Sequence, residues 1–249
     1  MSKELEFLID VVKQAGNMIT DEFEVRAKDG HGDLITNFDT EIEQYIIKRI
    51  NEEYPGFDIV SEEFNSKKEL TDNCFTIDPI DGTINFAHHI PLWAIQVACV
   101  KEGKTCAAVI YIPKLNEMYY ADENGAFLNG NPIHVNNLDV NKGLFTIEGP
   151  NSIQGELRMI KRARQYRALY CAAVNFAFVA CGRLSATCLV WDTYWDYIPG
   201  IYICEKAGAV TYHAEKMHIA ANNNEFLQEL IINAGVNENE VLSISKKED

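Results

Sequence analysis

The tightest constraint on this chain is the apolar run Cys74-Phe75-Thr76-Ile77, which stops in Asp78-Pro79-Ile80-Asp81-Gly82-Thr83. The run reads as a buried strand, and the Pro and Gly behind it mark a strand-to-helix turn. Two carboxylates this close repel each other when ionised, and a bound divalent cation is the commonest relief. The Gly-Thr that follows offers backbone N–H groups at a helix start, where the dipole favours an anion. A metal and a phosphate would meet at one turn, which is the outline of magnesium-dependent phosphate chemistry.

Around that turn the chain alternates. Apolar positions from Leu5 to Phe23 predict a helix over 4–24, and Ile42, Tyr45, Ile46 and Ile50 predict a second, capped by Asp39 or Thr40 and stopped by Pro55-Gly56. Phe57–Ser61 reads as a strand ending in Glu62-Glu63, followed by a polar loop over 64–73. A short helix after Thr83 ends at Pro91. Trp93–Val100, Thr105–Ile112 and Glu117–Asp122 read as strands, and Asn129-Gly130 as a hairpin turn. A polar stretch over 136–143 leads to strands at Leu144–Glu148, Ala168–Cys171, Leu184–Val190 and Ala209–Tyr212. Helices over 152–165, Ala172–Cys181, Asp196–Ala207 and 224–234 lie between and after them. This is a layered α/β arrangement: a single domain over 1–249, with an N-terminal lobe of about 1–140 and a C-terminal lobe of about 141–249.

Composition excludes several classes. The net charge of −15, from 37 acidic and 22 basic residues, disfavours nucleic acid and anionic membrane. The 7 cysteines lack C-x-x-C spacing, so they read as reduced buried thiols of a cytoplasmic protein rather than zinc ligands. Acidic residues precede any apolar run at the N-terminus, which argues against a leader, and no apolar stretch approaches the ~20 residues of a membrane span. Neither a G-x-x-x-x-G-K loop nor a serine nucleophile elbow occurs.

The chemistry-bearing set is Asp39, Glu62, Asp78, Asp81 and Asp196. If the strands before Glu62 and Asp78 are neighbours, Glu62, Asp78 and Asp81 converge. With the Ile80 carbonyl they supply part of two oxygen shells for Mg²⁺, bridged by Asp78; two such ions ~4 Å apart serve both the attacking and the leaving oxygen. A lone Asp-x-x-Asp is usually a solvated turn; Asp78–Thr83 as a unit behind an apolar strand is not.

Asp78–Phe86 resembles the first signature of the inositol monophosphatase family, a branch of the magnesium-dependent, lithium-sensitive phosphatases. The second signature is matched by Trp195-Asp196 leading to Glu205-Lys206-Ala207-Gly208. Lys28 with Asp33–Thr36 and Asp39, Ser61-Glu62-Glu63, Gly125-Ala126-Phe127, Ala172–Asn175 and Ile219–Asn222 match in family order. The resemblance implies an αβαβα sandwich of the sugar-phosphatase type, a homodimer, and on the order of two to three Mg²⁺ ions. It implies metal ligands at Glu62, Asp78, the Ile80 carbonyl, Asp81 and Asp196, and catalytic roles for Asp39, Glu62 and Thr83. Thr83, bonded towards Asp39, would orient or deprotonate the nucleophilic water. Asp81, Gly82, Thr83, Ala172 and Asp196 would contact the substrate, a small phosphorylated metabolite. Inositol monophosphate is the first candidate; histidinol phosphate, fructose bisphosphate, a nucleotide 3′-phosphate and NADP are alternatives, and a regulatory binding role is the rival of another class.

The chain departs from that family in places. Inositol-specific members carry a Glu a few residues before the Trp-Asp pair; Cys188-Leu189-Val190 stands here, and Asp192 is out of register. Tyr197, Ile198 and Pro199 replace small residues, with Pro199 expected in the first turn of its helix. Arg158, Lys161, Arg162, Arg164 and Arg167 form a basic cluster, read first as a solvated helix face and second as a site for another phosphate. His88-His89 read as helix-end packing, since hard Mg²⁺ prefers oxygen, and Trp191 and Trp195 as core or rim aromatics.

Overall fold

In the computed structural model, the described residues are 1–28, 34–149, 158–190, 193–214 and 216–234. Two helices begin the chain, α1 (Lys3–Met18) and α2 (Asn37–Glu53), with a two-stranded ribbon, β1 (Val25–Ala27) and β2 (Leu34–Thr36), between them. A seven-stranded sheet follows in the order β3 (Asp58–Ser61), β4 (Cys74–Asp81), β5 (Ala94–Lys101), β6 (Lys104–Ile112), β7 (Glu117–Asp122), β8 (Gly125–Leu128), β9 (Asn131–Pro132). Only β3 and β4 pair in parallel; the other neighbours are antiparallel. The short α3 (Thr83–Ala87) leaves the end of β4.

Strand alternation sorts the faces of this sheet. Phe75, Ile77, Ile95, Val97 and Val109 point to one side and meet Leu8, Val12, Ile42 and Ile46 of α1 and α2. Ala94, Ala98, Ala108 and Ala121 point to the other, where small side chains let two helices approach: α4 (Ala172–Ala180) and α5 (Tyr194–Lys206). At Gly200 an added Cβ would fall 2.4 Å from the Phe176 ring, so α5 presses onto α4 there.

Behind those helices lies a five-stranded sheet in the order β11 (Gln165–Tyr166), β10 (Leu144–Glu148), β12 (Ala186–Leu189), β14 (Met217–Ala221), β13 (Val210–Ala214). Its outer face, with Phe145, Ile147, Cys188 and Ile219, is covered by Phe226, Leu230 and Ile231 of α6 (Asn224–Asn233). The layers therefore run helix, sheet, helix, sheet, helix, the αβαβα sandwich expected from the sequence.

Several local expectations are corrected. The first helix ends at Met18, although Ile19 and Phe23 still pack on its core. The second is entered through Thr36, and Asp39 is its third residue, accepting from the Thr36 N–H at 2.7 Å and hydroxyl at 2.5 Å, so neither Asp39 nor Thr40 is the cap. Ala168–Cys171 is not a strand; the pairing falls earlier, at Gln165–Tyr166. Of the helix expected over 152–165, residues 150–157 lie outside the described residues, and 163–166 are not helical. Helix α5 starts at Tyr194, which puts Pro199 in its second turn rather than its first. Strand β14 and the β1–β2 ribbon had no clear alternation to betray them. Asp33, Trp191 and Asp192 lie outside the described residues.

Candidate active site

Strands β3 and β4 run side by side with Ser61 opposite Ile77, so Glu62 leaves β3 beside Asp78. In a regular strand Asp78 and Asp81, three apart, would point to opposite faces. Against β5, however, Asp78 pairs with Gln96 and Asp81 with Ala94, so the stretch between them carries one extra residue. That bulge turns both carboxylates to the inner face, and Pro79 sits where the ladder is already broken. Gly82 then takes φ 85°, where an added Cβ would come within 3.1 Å of the Cys171 Cβ and 3.3 Å of the Leu92 carbonyl. Only glycine turns this corner at little cost.

Each acid but one has a partner inside the protein. Asp81 accepts from the N–H groups of Ala172, at 3.3 Å, and Ala173 at the start of α4, and from the Cys171 thiol at 3.3 Å. Glu62 and Glu63 share the Lys28 ammonium at 2.6 and 2.5 Å. Asp196 accepts from the Thr193 hydroxyl. Asp78 is 2% exposed and its Oδ1 has no hydrogen-bond partner. Burial, then the charges of Glu62, Asp81, Asp196 and Asp39, drive its pKa far above the ordinary carboxylate range. Burial also raises Glu62, Asp81 and Asp196, against the opposing pull of Lys28, the Ala173 amide and Thr193 respectively. Glu63 is pushed up to about 7 by burial and by Glu62. Burial lowers Lys28, but the two glutamates more than offset it and hold it above its usual value.

Thr83 stands at the start of α3, and its hydroxyl lies 2.9 Å from the Ile80 carbonyl and 3.2 Å from Asp39 Oδ1, both acceptors. Asp39 is fully buried; burial pushes it to about 6 against the Thr36 hydrogen bonds.

A cleft of about 800 Å³ brings Glu62, Asp78, Ile80, Asp81, Gly82, Thr83, Ala172 and Asp196 to one wall system. Asp39 does not line it and sits behind Thr83. His88 and His89 are exposed and stay away from the cleft, His89 lying 5.5 Å from the Phe23 ring. Of the basic cluster only Arg167 reaches the lining; Arg162 instead pairs with Glu229. Trp195 lines the cleft as well.

Two residues escaped the sequence reading. Glu43 is fully buried on α2, accepting from the Ser61 hydroxyl and from the N–H groups of Glu63 and Phe64 at 2.8 Å, and so fixes the turn that carries Glu62. Its only trace in sequence is a charge inside an apolar helical stripe. Glu148 ends β10 inside the cleft, bonded by Asn175 Nδ2 at 2.6 Å. Burial and then Asp81 raise Glu148 to about 8. A single acid closing a strand carries no motif.

Among the described residues no three His, Cys, Asp or Glu side chains already grip a common point. The donor set nonetheless fits a hard dication. It is all oxygen, it surrounds a desolvated carboxylate with an orphaned oxygen, and its members repel one another.

A layered sandwich with acids gathered where its strands stop defines a sugar-phosphatase type of protein. The profile of the Inositol monophosphatase family matches residues 1–246. A curated relative from Thermotoga maritima, named fructose-1,6-bisphosphatase/inositol-1-monophosphatase, is 32% identical, over 96% of this chain and 94% of its own. A solved Thermotoga maritima IMPase superimposes with a TM-score of 0.83 at 31% identity, covering 96% of this chain and 97% of that one. A solved IMPase/NADP phosphatase, complexed with Mg²⁺ and phosphate, gives 0.83 at 22% identity over 93% and 95%, a likeness of fold. The chain belongs to the inositol monophosphatase family, a family of phosphatases.

Proposed function

We propose that this chain is a Mg²⁺-dependent phosphomonoesterase that hydrolyses a small phosphorylated metabolite, with inositol monophosphate as the first substrate to test. The observation that carries the reading is Asp78: a buried carboxylate with an unpartnered oxygen, among Glu62, Asp81 and Asp196, in the lining of a cleft. Glu62, Asp78, the Ile80 carbonyl, Asp81 and Asp196 would hold on the order of two to three ions. Bound there, such ions supply positive charge to a phosphate ester and acidify water.

The chain's own groups then do the rest. Thr83 has one hydroxyl hydrogen, already directed at the Ile80 carbonyl and Asp39, so its lone pairs are left to accept from a water in the cleft. That contact orients the water, and a proton passed to Thr83 Oγ1 moves on to Asp39, whose value of about 6 suits a base near neutral pH. The turn amides of Gly82 and Thr83 and the start of α4 at Ala172 would bind the phosphate oxygens. Asp196, on the opposite side, would meet the leaving oxygen. We read residues 1–249 as one unit whose lobes, about 1–140 and 141–249, contribute to a shared site, working as a homodimer.

The alternatives within the same chemistry are fructose bisphosphate, histidinol phosphate, a nucleotide 3′-phosphate and NADP. Relatives named for both fructose bisphosphate and inositol phosphate keep that question open. Phosphate release across this panel, with Mg²⁺ titrated from zero, tests the proposal. Hydrolysis that rises with Mg²⁺ supports it; the absence of release from every ester would reject it in favour of a binding role.

A further inference from the structure

The acid that inositol-specific relatives place on the strand before Trp195 is missing here, because β12 ends in Cys188-Leu189. The sheet register shows what stands beside that position. Strands β10 and β12 are parallel neighbours, and Glu148 is the direct partner of Leu189. Partnered residues on adjacent strands share a face. Glu148 and Leu189 both line the cleft, so a carboxylate occupies this wall from one strand over.

A second, independent feature lies on α4. Asn175 is 2% exposed, lines the same cleft, and donates through Nδ2 to Glu148. Its Oδ1 is buried with no hydrogen-bond partner. Buried amide oxygens are rarely left unpaired, and this one belongs to a residue of the cleft wall. Two residues back along the same strand pair, Thr146 donates to Thr187 at 2.6 Å, so its hydroxyl hydrogen is committed within the sheet. Glu148 and Asn175 are thus two polar groups of this wall bonded to each other, one at the end of β10 and one on α4.

We propose that Glu148 and Asn175 form the subsite that accepts hydrogen bonds from the substrate's alcohol groups, doing from β10 and α4 the work relatives assign to an acid on β12. The inference rests on the phosphatase reading and narrows its substrate to a hydroxyl-rich monoester. A polyol or sugar phosphate places donors near the ester; an aryl phosphate offers none.

The test compares hydrolysis of inositol 1-phosphate with that of phenyl phosphate by the full chain in saturating Mg²⁺. The readout is the ratio of the two kcat/KM values, together with the inhibition constant of free inositol against phenyl phosphate. Glu148→Ala should lower the ratio about 10- to 100-fold and raise the inhibition constant in step. Glu148→Gln keeps one accepting oxygen and replaces the other by an NH2 donor, and should lower the ratio about threefold or more. A ratio within about twofold of the parent protein's in both variants would overturn the subsite. If Glu148→Ala fails to fold, Glu148→Gln decides alone by the same criterion. Parent protein that hydrolyses both esters while the variants leave the ratio unmoved removes only the subsite. Parent protein that hydrolyses neither removes the phosphatase reading, and the subsite with it.

Discussion

The two walls of the cleft are built differently. The wall at the ends of β3 and β4 is dense with constraint: a bulge aligns Asp78 with Asp81, Gly82 turns a corner closed to other residues, and Glu43 and Lys28 pin the turn carrying Glu62. The wall around 166–170 is loose by comparison. Tyr170 is 69% exposed and held at φ 52°, and the Arg167 guanidinium bonds to the Tyr166 carbonyl and Gln165 of its own segment. A wall whose every group is positioned by another suits invariant chemistry; a wall with room suits a choice of substrate.

The comparison is broken most severely on the dense wall. Asp81→Asn should lower Mg²⁺-supported turnover by about a thousandfold or more. The fold should survive, because the amide oxygen can still accept from Ala173 and a buried charge among other acids is removed; circular dichroism beside a phosphate-release assay checks both, and near-normal turnover would refute the ligand assignment.

Asp39 gives the next effect, as stability. Its folded value of about 6 lies above the ordinary 3.8, so the folded state holds its proton more tightly than the unfolded one. Its contribution is fully present below about pH 4, falls away as pH rises towards about 6, and is flat above. One pKa unit is about 1.4 kcal/mol, so Asp39→Asn should gain up to about 3 kcal/mol relative to the parent between pH 4 and pH 7 in metal-free buffer. Urea melts at both pH values measure this; a difference that does not change with pH would show that Asp39 is not held up by burial.

Thr83→Ala should cost about a hundredfold in kcat with a small change in KM, and Thr83→Ser should restore most of it. Equal losses in both variants would point to packing rather than to the hydroxyl. The smallest effect belongs to the loose wall: Arg167→Glu should raise KM for fructose bisphosphate about two- to fivefold more than for a monophosphate, whereas Arg164→Glu, away from the cleft, should not separate them. Equal behaviour of the two variants would leave the basic cluster as a solvated face.

The same contrast explains what could be read from sequence. The dense wall is local: Asp78 to Thr83 lie within one strand and its turn, and Glu62 needed only the assumption that its strand was a neighbour, which the Ser61–Ile77 pairing bears out. The layers were legible where a strand alternates, as in β5, with Ile95 and Val97 on one face and Ala94 and Ala98 on the other. The pairing of Glu148 with Asn175 was not legible, since it depends on the register of two strands and a helix far apart in sequence. Pro199 was misplaced because α5 begins before the Trp-Asp pair, and Asp39 was taken for a cap because its role at Thr36 needs backbone geometry. Strand β14 was missed because Met217–Ala221 is buried throughout and shows no alternation.

The account turns on Asp78 and its neighbours holding hard cations. Anomalous scattering from a crystal soaked in saturating Mn²⁺ measures that directly. The account predicts strong peaks beside the Asp78 carboxylate, among Glu62, Asp81 and Asp196, that vanish in Asp78→Asn. A cleft without anomalous density there in the unmutated protein would contradict it.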